Sequence, residues 1–202
     1  MNVENMPLFW RLQDTENSGL DDVSLLMPSN AGEPAAIFPT DVSFCSRRND
    51  KNIVDVRWSD EDSDLFMSLL DRISEDDEVS QEIDDSLVVD ISDNVVQGIV
   101  QLVALARFKT PWPSDELVGE DFITEREEIE TGDLVSINTL YGYALAIVVG
   151  MDSIDVNCIL LEDIVDGDVC LVPDHSLMVV NRLSVLPAAF SDIDMGEGMI
   201  VH

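Results

Sequence analysis

The order of apolar and polar residues divides the chain into stretches of different period. Residues 134–140, 143–151, 156–161, 169–172 and 177–186 are short β-rich runs. Turn signals part them: Gly132-Asp133, Tyr141-Gly142, Asp152-Ser153, Asp166-Gly167-Asp168 and Pro173-Asp174. Five such runs at regular intervals predict a small antiparallel barrel. Strand alternation nominates Val135, Ile137, Ala144, Ala146, Val148, Cys158, Leu160 and Cys170 for its core, and a one-residue slip in register would invert part of that set.

Upstream the period becomes helical. Leu65, Phe66, Leu69, Leu70 and Ile73 recur behind Ser59 or Ser63 as N-cap, with acids in the first turn that suit the helix dipole. The pattern continues through Val79, Ile83 and Leu87. Residues 95–107 are apolar nearly all round, which predicts a helix that is buried or covered by a partner. Pro111 and Pro113 stop it, and Trp112 between them marks a junction.

Residues 1–58 show no sustained period. Pro7, Pro28, Pro34 and Pro39, with Gly19 and Gly32, interrupt them at short intervals, which predicts an extended or looped arm. Its apolar groups suit docking onto a neighbouring surface, with Phe9, Trp10 and Phe38 as anchors. The expected fold class is therefore α+β. It comprises an extended N-terminal arm (1–58), a small acidic helical region (59–118), a C-terminal antiparallel β-barrel (119–187) and an acidic tail (188–202). The Gly-Asp-Leu-Val opening at residue 132, the strand 142–150 and the closing Leu-Ser-Val-Leu-Pro at residue 183 resemble the Src-homology and KOW types of small barrel. Such barrels bind peptides, nucleic acids or neighbouring subunits, so the resemblance implies an architecture and selects no function.

Charge changes the picture most. The chain carries 42 acids against 10 Lys and Arg, a net −32, of which −4 falls in residues 1–58, −13 in 59–118 and −15 in 119–202. Self-repulsion on that scale calls for partner contacts, cations or salt to offset it. Direct binding to a phosphate backbone is disfavoured, because it relies on Lys and Arg displacing counterions. A high-salt habitat would produce the same composition for solubility alone. Residues 60–93 hold fourteen acids opposed only by Arg72. Without i,i+4 cations this run costs stability, so it implies a demand for negative potential, with Asp76, Asp77, Asp84 and Asp85 at its centre.

Catalytic chemistry is hard to find. His175 and His202 supply no acid–base pair, and Cys45, Cys158 and Cys170 have no zinc spacing. Lys51 and Lys109 are the only lysines and neither follows a Gly-rich phosphate loop. Asp60, Asp62 and Asp64 open like a calcium loop, but Leu65 stands where that loop needs Gly. The expectation is a protein that is not an enzyme, with no cofactor and no dedicated metal site. An odd, scattered cysteine count favours a reducing compartment, and neither a secretory signal nor a membrane span is visible, so the expected location is the cytoplasm or a virion assembled there.

Two functions fit. The first is a structural or assembly protein docking onto neighbouring subunits of a large complex, a virus or phage particle being the best example. It would bind other proteins and neither nucleic acid nor membrane. The second is a nucleic-acid mimic of the anti-restriction type, which occupies the basic site of a DNA-binding protein. Charge spread over two domains beside a near-neutral arm favours assembly.

Overall fold

The computed structural model describes residues 7–15, 19–28, 35–45, 53–76, 91, 93–114, 116–119 and 128–188. It divides into two compact units, Met1–Lys109 and Thr110–His202. Helices and mostly antiparallel sheets combine in an α+β fold.

The first unit corrects the expectation of an arm. Strands β1 (Phe9–Asp14), β2 (Leu20–Met27), β3 (Ala36–Cys45) and β4 (Val54–Arg57) form an antiparallel sheet in the order β3-β2-β1-β4. Of the prolines that suggested loops, Pro34 lies outside the described residues and the other three border these strands or lie in an edge strand. Pro7 precedes β1, Pro28 follows β2, and Pro39 lies in edge strand β3, where a missing N–H is tolerated. Opposite Pro39 the register shifts between Asp22 and Ser24, and the Thr40 hydroxyl donates to the Val23 carbonyl at 2.6 Å. Alternation is present but short. Trp10 and Leu12 point inward on β1 and pair with Leu25 and Val23 of β2, all buried.

Helix α1 (Asp60–Asp76) opens with a capping box. The Asp62 amide donates to Ser59 Oγ at 3.2 Å, and the Ser59 amide donates back to Asp62 Oδ2 at 2.9 Å, so Ser59 is the cap. Helix α2 (Asn94–Phe108) begins at Asp93, whose carboxylate accepts the Val95 amide at 2.7 Å. It buries Val96, Ile99, Val100, Val103, Ala104 and Leu105 while packing on β3 and α1. Gln101 fixes it to the sheet by accepting the Asp41 amide at 2.9 Å.

In the second unit β5 (Leu134–Thr139), β6 (Gly142–Met151), β7 (Asp155–Leu160), β10 (Leu177–Asn181) and β11 (Val185–Pro187) form one sheet in the order β10-β7-β6-β5-β11. A separate hairpin joins β8 (Ile164–Asp166) to β9 (Val169–Val172). Asp152 shapes the β6–β7 turn by accepting the amides of Ile154 and Asp155 at 2.7 and 2.8 Å. Gly142, at φ 121°, supplies the backbone that the tight β5–β6 turn needs. Among the described residues the ladder ends at β10 and β11 and does not close into a barrel.

Seven of the eight nominated core residues are in one cluster, joined by Val156, Ile164, Val172, Met178, Val180 and Val185. Cys170 is the exception: it is exposed on the β8–β9 hairpin. Ile147 and Ile159, facing the other way, are buried too, which explains the near-continuous apolar run of β6. The run 177–186 proves to be two strands at opposite edges of the sheet. A 3₁₀ turn, Arg182–Ser184, separates them, and Asn181 caps it by accepting the Leu183 amide at 2.9 Å.

Candidate functional site

The residues expected to act as anchors do not converge on a surface. Trp10 has no exposed area at all. Its ring stacks on Trp58 at 5.0 Å and meets Phe108 edge-on at 5.7 Å, with Phe66 and Phe44 extending the cluster. Phe9 and Phe38 are half-buried on β1 and β3. Trp10 is thus a core residue and cannot anchor a partner, because the sheet that the sequence hid has folded around it. Asp76 is the last residue of α1, and Asp77, Asp84 and Asp85 lie outside the described residues.

Asp62 belongs to the same core. Only 4% exposed, its carboxylate accepts the Trp10 indole N–H at 3.2 Å as well as the Ser59 amide, with the Arg107 guanidinium 4.0 Å away. Asp60 and Asp64, by contrast, are exposed. The three alternate aspartates are divided between core and solvent, and among the described residues no group of His, Cys, Asp or Glu is gathered to hold a metal ion. The buried Trp58 indole N–H has no hydrogen-bond partner among the described residues. His175, at φ 56°, is exposed in its turn 3.2 Å from Asp174.

Arg11 donates to both oxygens of Asp55 across β1 and β4, at 2.8 Å each. Hydrogen bonding to Arg11 holds the Asp55 carboxyl below its usual range. Its contribution is therefore present at neutral pH and lost as pH falls through the lowered value. Arg11→Met should move Asp55 back up in an NMR pH titration and, the pair being half-exposed, cost at most about 1 kcal/mol.

The thiols separate by environment. Burial pushes Cys158 up to about 12, while Cys170 is raised by partial loss of hydration and by the charges of Asp163 and Asp174. An aromatic disulfide reagent should titrate Cys45 and Cys170 in the native protein and reach Cys158 only after denaturation. Three rapid equivalents without denaturant would contradict this core.

One surface feature escaped the sequence reading. Residues 112–114 run beside β10: the Trp112 amide donates to the Leu177 carbonyl at 2.7 Å and the Ser114 hydroxyl to the Val179 carbonyl at 2.6 Å. Pro111 and Pro113 lack the N–H groups to extend this pairing, so it stops at the single bridge Trp112–Met178. After a turn on the Ser114 carbonyl, Gly119 donates to Asn138 at 3.0 Å and Leu140 donates to Leu117 at 2.9 Å. This stretch is thereby tied to the sheet at both ends. Trp112, Pro113, Glu116 and Leu117, with Leu171 of β9, line an open groove of about 390 Å³. Trp112 is 41% exposed there. A tryptophan between two prolines was the available signal, and the sequence reading used it only as a boundary.

No protein-family model matches the chain, and a search of curated proteins finds no significant relative. Among the described residues no helix is long and apolar enough to cross a membrane.

Proposed function

We propose that the chain is a non-enzymatic docking protein that attaches to positively charged surfaces of other protein subunits in a large assembly, of which a virus or phage particle formed in the cytoplasm is the leading example. The observation that carries this reading is the second unit's charge: residues 110–202 hold nineteen acids against two arginines. A field of one sign steers and selects partners of the other. We further propose that this unit belongs with the Src-homology and KOW type of small barrel. The strand order β10-β7-β6-β5-β11, with a 3₁₀ turn before the last strand, supports it, as does a core drawn from all five strands.

The test is capture by the immobilised protein over a salt series, with mass spectrometry of what is released. Strongly basic proteins should leave in order of charge as salt rises. A captured set no more basic than the flow-through would overturn the reading. The mimic reading predicts a different result, inhibition of a DNA-binding enzyme that is lost when Asp76, Asp77, Asp84 and Asp85 become Asn. The same charge predicts that molar salt raises the melting midpoint over low salt by several degrees, each kcal/mol gained being worth about 2–4 °C at this size. An unchanged midpoint would mean that the acids are already compensated within the chain.

A further inference from the structure

The groove beside β10 combines features found together nowhere else among the described residues: an exposed indole, apolar lining from Pro113, Leu117 and Leu171, and an acidic lining residue, Glu116. Its walls are pre-formed, because hydrogen bonds fix the chain on both sides of the Ser114 turn. A partner therefore would not have to order a loop in order to bind. Leu171 places the groove next to the β8–β9 hairpin. Glu116 in the lining, and a unit that holds nineteen acids against two arginines, give the groove a negative field. An aromatic face in a negative field favours a planar cation over an ammonium, since a guanidinium stacks on the ring and still donates sideways to a carboxylate.

We propose that this groove binds an arginine-bearing segment of a partner protein, its guanidinium stacked on Trp112 and paired with Glu116, with an adjacent apolar side chain against Pro113, Leu117 and Leu171. The proposal rests on the docking function above and assigns it a site. Arginine is the choice over lysine because the groove offers a flat ring and a carboxylate together.

The probe is a labelled synthetic peptide of alternating arginine and leucine, compared with its lysine–leucine counterpart by fluorescence anisotropy on the full chain. The arginine peptide should bind about tenfold more tightly than the lysine peptide. Trp112→Ala should remove about tenfold of that affinity and abolish the preference, while Trp112→Phe retains part of it. Glu116→Gln should weaken binding and flatten its salt dependence, and Asp152→Asn, in the β6–β7 turn, should leave both unchanged. Equal, salt-sensitive binding of both peptides to wild type and to Trp112→Ala would overturn the groove while leaving charge-driven docking intact. Failure of both peptides to bind wild type in low salt would overturn both.

Discussion

Trp10→Ala is expected to destabilise the first unit by about 3–5 kcal/mol, the range for removing a large aromatic side chain from a packed core. Three interactions are lost at once: the stack on Trp58, the edge contact with Phe108 and the hydrogen bond to Asp62. The last leaves a buried carboxylate one donor short, which adds to the cavity cost. Equilibrium denaturation measures the loss, and the near-ultraviolet circular dichroism should collapse with it. If Trp10 were instead a docking anchor, the variant would melt like wild type and fail only in binding. Deleting residues 1–58 is correspondingly no test of an arm, since it removes all four strands of the sheet.

Asp62→Ala is expected to cost about 2–3 kcal/mol, because it deprives a buried and a half-buried donor of their acceptor and removes one half of the α1 capping box. Asp62→Asn should recover part of this loss, since both donors meet the same oxygen, Oδ2, whose place the amide carbonyl can take, while the negative charge is lost. The Trp10→Phe and Asp62→Ala losses should sum to more than the double variant shows, as the two residues share a bond. Arg107→Met should matter less, because Arg107 is 42% exposed and lies 4.0 Å away. If Asp62→Ala melted like wild type, Asp62 would not be the link between sheet and helix described above.

The two units differed in how far they could be read from sequence. In the second, long β-rich runs between clear turns made Val135 through Leu160 legible as a core, because period-two alternation persists over several residues per strand. Cys170 misled because β9 extends from the hairpin, and nothing local distinguishes a strand in the main sheet from one beside it. Residues 177–186 misled for a related reason: both halves are apolar, and only the short polar interruption Asn181-Arg182, with Ser184, marks the break. In the first unit the inward positions are Leu8, Trp10 and Leu12 at one strand and Asp21, Val23 and Leu25 at the next, the second set opening on an acid. Alternations that short do not outweigh nearby prolines. Trp10 and Phe9 were therefore assigned to a surface, when the sheet order β3-β2-β1-β4 places β1 in the interior of the sheet. The groove was the least legible feature of all, since it joins Leu171 to residues more than fifty positions earlier.

The short closing strand has a consequence for how the protein is made. β11 supplies the outer neighbour of β5, from which it is separated in sequence by all the strands from β6 to β10. While the ribosome is still adding residues 140–184, β5 has an open edge bearing Val135 and Ile137, both strong β formers. A growing chain in that state can pair with another copy emerging from the same messenger. Slow translation through this stretch should therefore favour aggregates, and a fusion partner placed after residue 187 reports on whether the edge was closed in time.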